Sequence, residues 1–227
     1  MNNKTKDCIK CNLCKKHCEF LNKYDMDLDV FSKREDLAYN CFLCGRCKEV
    51  CPKDIDGKTI ALDMRQAKIK KYNNIKTDKD YSMLLKEKNP YLFSNYKNSN
   101  KKTVLFPGCN FISFFPKTGK ILINELKKYD IGVIFDCCQK PVDELGLKDD
   151  ADRNLQPLRN KIKEANIEEI LEGEEKLFTY CASCVGNFKR KGFSNSYHIL
   201  PLVLNIEEEV PLGMKSLLNR AMFKFKK

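Results

Sequence analysis

The spacing of apolar positions changes character part-way along the chain. In the first half the clearest signal runs from Lys58 to Lys70, where Ile60, Met64 and Ala67 recur at helical spacing. No strand pattern is found there, and helical stretches alternate with short cysteine-bearing loops. The second half carries four short apolar runs, 103–106 (TVLF), 131–135 (IGVIF), 176–180 (KLFTY) and 196–200 (SYHIL), with helical patterns at 117–129 and 153–171 between them. Such alternation predicts a small parallel sheet with helices on its faces. Between the halves, 86–102 (KEKNPYLFSNYKNSNKK) combines proline, asparagine and lysine with little periodicity and reads as a linker. The pattern therefore predicts an α+β protein of two domains: an all-helical domain over 1–85, a linker over 86–102, and a small α/β domain with a parallel sheet over 103–227.

Composition narrows this picture. A chain of 227 residues suits one or two modest domains, each with its own core. Lys+Arg exceed Asp+Glu by 42 to 31, a formal +11, which raises the question of nucleic acid. The lysines are scattered rather than gathered in one arm, so no nucleic-acid binding is expected, and a basic face suits an acidic redox partner better. The start, MNNKTKDC, is polar, and no apolar run approaches the roughly 18 residues that span a bilayer. A cytoplasmic protein without a transmembrane segment is expected. At the other end, 212–227 places Leu217, Leu218, Ala221, Met222 and Phe225 on one helical face and basic residues on the other. That face could meet a partner subunit, the protein's own α/β domain or, peripherally, a membrane surface.

Thirteen cysteines at close spacing argue, in a reducing compartment, for metal ligation rather than disulfides. CIKCNLCKKHC sets Cys8, Cys11, Cys14 and Cys18 at spacings x2, x2 and x3, and CFLCGRCKEVCP repeats them with Cys41, Cys44, Cys47 and Cys51. Three thiolates of such a run clasp three corners of a [4Fe-4S] cube, and the last cysteine of each run ligates the other cluster. Cys8, Cys11, Cys14 and Cys51 are thus expected at one cluster and Cys41, Cys44, Cys47 and Cys18 at the second. Zinc normally takes paired CxxC modules without the third step. Glu19 follows Cys18 where proline is usual, at no cost in ligands. His17, inside the first run, reads as a solvent-facing loop residue.

Five cysteines remain: Cys109, Cys137, Cys138, Cys181 and Cys184. Cys109, the Cys137/Cys138 pair and Cys181 each follow a predicted strand, and groups at the carboxyl ends of parallel strands converge on one crevice. The motifs FPGC (106–109), CCQKPVDELG (137–146) and TYCASC (179–184) resemble the cysteine-rich domain of the heterodisulfide reductase family. That domain also occurs in iron–sulfur subunits of anaerobic glycerol-3-phosphate dehydrogenase and glycolate oxidase. The resemblance implies an α/β domain whose five cysteines are catalytic, holding a non-cubane iron–sulfur cluster or, in some relatives, zinc. Two departures stand out. Gln139 follows the doublet where glycine is usual, so the backbone there is expected not to adopt a left-handed turn readily. Relatives also tend to carry two copies of the domain, and this chain has one.

The expectation is an iron–sulfur oxidoreductase, or a subunit of one, that relays electrons through two [4Fe-4S] clusters to the five-cysteine site. That site would reduce a disulfide or pass electrons to a partner, a flavoprotein or a second cysteine-rich subunit. The alternative is a non-enzymatic electron-transfer subunit with zinc or a passive cluster at the second site. His198, in SYHILPL, could shuttle a proton to a departing thiolate but reads more simply as a strand-end histidine.

Overall fold

The computed structural model describes residues 5–99, 101, 103–126, 131–164, 177–193 and 196–199. The chain divides into two compact units, Met1–Met83 with Pro141–Ala151, and Leu84–Lys140 with Asp152–Lys227. The expected helix over 212–227 lies outside the described residues, as do 127–129 and 165–171 of two other predicted helices.

In the first unit, short helices alternate with loops: α1 (Leu13–Lys16), α2 (Glu19–Lys23), α3 (Leu28–Phe31), a 3-10 turn (Glu35–Asn40), α4 (Arg46–Glu49) and the longer α5 (Gly57–Tyr72). No strand occurs among its described residues. Helices of four or five residues cannot sustain themselves in water and depend on tertiary packing. Here they share a core of Phe20, Leu21, Met26, Leu28, Phe31 and Ala38 that also takes in Cys14 and Cys47. Helix α3 is capped by Asp27, whose carboxylate accepts the Val30 N–H at 2.8 Å. Asp56 caps α5 in the same way, accepting the Lys58 N–H at 2.9 Å, and Asn73 ends that helix with φ 50°.

The buried face of α5 is Gly57, Ile60, Ala61, Met64 and Arg65. Ala67, counted on that face by the periodicity, is exposed instead, and Arg65 occupies the buried stripe. The Arg65 guanidinium donates to the carbonyls of Ala38 (3.0 Å), Cys41 (2.7 Å) and Glu144 (2.6 Å) and lies 5.0 Å from the Tyr39 ring centroid. Gly146, at φ +95°, passes so close that a Cβ there would sit 2.8 Å from the Arg65 carbonyl carbon.

The second unit holds a five-stranded sheet: β1 (Asn95–Asn98), β2 (Val104–Phe106), β3 (Gly132–Phe135), β4 (Leu177–Thr179) and β5 (Ser196–His198), in the order β1-β3-β2-β4-β5. The last four are mutually parallel and correspond to the four apolar runs; β1 is an antiparallel edge. Its sequence, NYKN, is polar because an edge strand faces water, which is why 86–102 shows no strand pattern. Helices α6 (Ser82–Lys88), α7 (Cys109–Phe114), α8 (Pro116–Leu126), α9 (Lys140–Glu144), α10 (Lys148–Glu164) and α11 (Ala182–Arg190) complete the described elements. Val104, Phe106, Ile134 and Leu177 of the sheet pack with Leu155, Leu158 and Phe188 of the helices.

Topology fixes where a site can form. From β2 the chain goes to β3 on one side, then crosses back to β4 on the other, so the strand order reverses at β2. Ligand sites of open α/β sheets lie at the carboxyl ends of strands at such a switch point. The register pairs Phe106 with Thr179, so β2 and β4 end level, directly before their cysteine-bearing loops.

Candidate functional site

The internal repeat of the sequence is also a repeat of backbone geometry. Lys10 and Asn12 have φ of 53° and 60°, and the equivalent positions of the second run, Leu43 and Gly45, have 58° and 81°. Helices α1 and α4 then start at equivalent residues. Left-handed conformations at lysine, asparagine and leucine are strained, and such strain persists where it aims groups at a site. The effect is to turn each cysteine run around one point.

Cys8, Cys11 and Cys14 line a solvent-open hollow together with Cys51, Leu28 and Ile55. Cys51, the last cysteine of the second run, thus lies beside the first three cysteines of the first. Burial raises the pKa of the Cys14 thiol, an effect opposed by N–H donors of Leu28 and Lys15. The second quartet mirrors the first. Cys41 lies within electrostatic reach of Cys18 and Cys44, and Cys47 within reach of Cys41 and Cys18. Burial pushes Cys41 up and Cys47 up to about 11, while the amides of Leu43 and Gly57 donate to their respective sulfurs. Gly57 opens helix α5, and a Cβ on it would stand 2.6 Å from the Cys47 sulfur. Cys11 and Cys44, the middle of each run's CxxCxxC, are exposed.

Cys109, Cys137, Cys138, Cys181 and Cys184 come together at the carboxyl ends of β2, β3 and β4. Their thiols stand within interacting reach of one another in a chain, Cys109 to Cys137, Cys137 to Cys138, Cys138 to Cys184 and Cys184 to Cys181. Set between two neighbouring thiols each and buried, Cys137 and Cys184 are raised and held protonated. Their neighbours benefit: Cys109 is lowered to about 7 by the Cys137 thiol, with Lys88 helping, and Cys138 is lowered by Cys137 and Cys184. Cys181 is lowered to about 5 by the Cys184 thiol and by the amides of Cys184 and Ser183 in the first turn of α11. Gly108, at φ +85° and ψ 160°, a region open essentially to glycine alone, brings the backbone against Cys181 and Cys184. The donor set is soft and, apart from half-buried Cys181, buried, chemistry suited to iron or zinc. Among the described residues, no three Cys, His, Asp or Glu side chains enclose a position for a single metal ion.

Contrary to expectation, Gln139 does take the left-handed conformation, at φ 62°. It is completely buried, and hydrogen bonds explain how the strain is borne. Its amide N–H donates to the Cys137 sulfur (3.4 Å), its side chain donates to the Lys88 carbonyl (3.0 Å), and its Oε1 accepts from Asn154 (3.2 Å). Lys88 itself escaped the sequence reading. It is buried, with Nζ bonded to Glu87 and within electrostatic reach of the Cys109 sulfur. Burial works against the ammonium, but Glu87 and Cys109 outweigh it and hold the pKa above the ordinary lysine value. The Tyr91 hydroxyl donates to the Cys109 carbonyl at 3.1 Å, and Asn187 donates to that of Cys138 at 2.6 Å. His17 is exposed; His198 is half-buried and pairs in register with Thr179.

No protein-family model matches the chain, and no solved structure matches it. Among curated proteins it is similar to an uncharacterized iron-sulfur protein of Methanococcus maripaludis, 26% identical over 203 residues, covering 80% of this chain and 38% of that protein. It is also similar to a subunit of the fumarate reductase (CoM/CoB) of Methanothermobacter marburgensis, 24% identical over 225 residues, covering 82% of this chain and 43% of that protein. The chain therefore spans about two-fifths of the length of the curated relatives it matches.

Proposed function

We propose that this chain is an iron–sulfur oxidoreductase subunit that passes electrons through two [4Fe-4S] clusters to a five-cysteine site. The observation that carries the reading is that the last cysteine of each run stands beside cysteines of the other run. Cys51 lines the cavity of Cys8, Cys11 and Cys14, and Cys18 stands near Cys41 and Cys47. A two-cluster ferredoxin requires that exchange, whereas zinc sites join CxxC pairs without a third cysteine at the next step. Both named relatives support the same class, one as an iron-sulfur protein and one as a fumarate reductase subunit. The second also favours a multi-subunit redox enzyme. No helix among the described residues is long and apolar enough to cross a membrane.

The clusters, when bound, would supply single-electron transfer. The protein's own residues would hold the thiolates, direct amides at their sulfurs and leave Cys11 and Cys44 at the surface where a donor can approach. At the five-cysteine site two electrons and two protons would convert one disulfide into two thiols, with the lowered Cys109 and Cys181 as thiolate ligands. The reaction partner would be a disulfide substrate, a flavoprotein or a second cysteine-rich subunit.

Anaerobic purification with metal analysis tests the proposal. About twelve irons and no zinc per chain support clusters at all three sites, and about eight irons with one zinc support the electron-transfer alternative. Cys51→Ser should perturb the EPR signal of the cluster at Cys8, Cys11 and Cys14 while sparing the other. Disturbance of the cluster at Cys41, Cys44 and Cys47 alone would reverse the ligand assignment.

A further inference from the structure

The one residue that departs from the resembled doublet leads to a charge beside the five thiols. Through its side chain Gln139 holds the Lys88 carbonyl, and through Asn154, which also bonds the Asn89 side chain at 2.7 Å, it secures the same segment a second time. Glycine at 139 could make neither side-chain contact. The segment so clamped carries a lysine that is 6% exposed, and lysines are almost never buried without a partner. Lys88 Nζ donates to Glu87 Oε1 at 2.6 Å and lies 5.2 Å from the ring centroid of Tyr91, whose hydroxyl bonds the Cys109 carbonyl, and it stands within electrostatic reach of the Cys109 sulfur. Glu87 takes the outer position: its side chain is 32% exposed, against 8% for Lys88, and accepts the hydroxyl of exposed Ser113 at 2.5 Å. The ion pair is thus polarised, cation toward the thiolates and carboxylate toward water.

We infer that Lys88 sets the reduction potential of the five-cysteine site, with Glu87 as the opposing outer charge and Gln139 as the clamp that holds the pair in place. The inference rests on the reading that the five cysteines hold iron and sulfide. An electron added there increases negative charge close to Cys109, and the nearer cation stabilises that state more than the farther carboxylate opposes it. Lys88 acts on a ligand rather than a reacting atom, so it is a positioning residue. Hydrogen bonds and charge around ligand sulfurs are among the levers that tune such potentials.

The two charges must act with opposite sign, and a merely structural role would not produce that. Potentiometric titration of the anaerobic full chain, followed by EPR and assigned to the five-cysteine site by loss of the signal in Cys137→Ser, reads the effect. Lys88→Met is expected to make the reduced form about tenfold less populated at a fixed poise, about 59 mV for a one-electron couple. Glu87→Gln, at a partly exposed position that tolerates change, shifts the couple the other way. Both variants should keep the iron content of the unmutated chain. Unshifted potentials, or shifts in the same direction, with iron retained would overturn the role of Lys88 while leaving the site intact. An unmutated chain with only about eight irons and no signal lost in Cys137→Ser overturns the five-cysteine reading and this inference with it.

Discussion

Gly57 and Cys181 show how single positions are decided by their neighbours. In a solvent-exposed helix, alanine is more stable than glycine by about 1 kcal/mol. At Gly57 the sign reverses, because a Cβ would stand 2.6 Å from the Cys47 sulfur and 2.7 Å from Leu28 Cδ2. Gly57→Ala is expected to cost about 1–3 kcal/mol and to disturb the site at Cys41, Cys44 and Cys47. Anaerobic urea unfolding with iron analysis checks both, and a gain in stability would refute the close approach. Cys181 differs from an ordinary thiol in the pH at which it ionises. Its pKa is lowered to about 5, so the thiolate persists as pH falls until it is protonated through that value. In metal-free folded protein, alkylation at about pH 6 should label Cys181 first; Cys138, though also lowered, is 3% exposed and shielded. Peptide mass spectrometry reads the order, and labelling of Cys181 no faster than in the unfolded chain would contradict the prediction.

Among the elements, α5 joins the helical unit to a site. Its first residue faces Cys47, and two turns on Arg65 holds the carbonyls of Ala38, Cys41 and Glu144. Arg65→Met leaves those three acceptors without their donor, a change expected to cost about 3 kcal/mol. Lysine keeps the charge without the planar fork, so Arg65→Lys should recover less than half. Urea midpoints of the three proteins decide it, and a midpoint for Arg65→Met within error of the unmutated protein would sink the argument. The boundaries of α5 are legible in sequence because its signals are local: Asp56 before the first turn and Asn73 after the last. Its buried face was misjudged at one place. Apolarity favoured Ala67, but the stripe turns toward Arg65, whose long side chain finds carbonyls 24, 27 and 79 residues away in sequence.

At the scale of the whole chain, two units carry two kinds of cysteine site. The repeated runs draw their geometry from left-handed residues at matching positions, and the five remaining cysteines draw theirs from strand ends at a topological switch point. Thirteen thiols at these places account for every cysteine in the chain. The basic excess of +11 is compatible with docking an acidic redox partner. Salt-sensitive association with such a partner, and no retention on DNA at low salt, is the expected outcome in a binding assay, and retention on DNA would point to the charge having another use.

The amino-acid sequence by itself determined the spacing of both cysteine runs, the four parallel strands and the position of a cysteine after three of them, because each is written in residues a few places apart. Tertiary structure alone decided that polar β1 pairs with β3, that Gln139 can occupy a left-handed turn, and that Lys88 faces Cys109. Each of these depends on a partner distant along the chain, as the 51 residues between Gln139 and Lys88 show. A buried charge or a strained turn is tolerated only where folding brings its hydrogen-bonding partners to it, and no local pattern records that meeting.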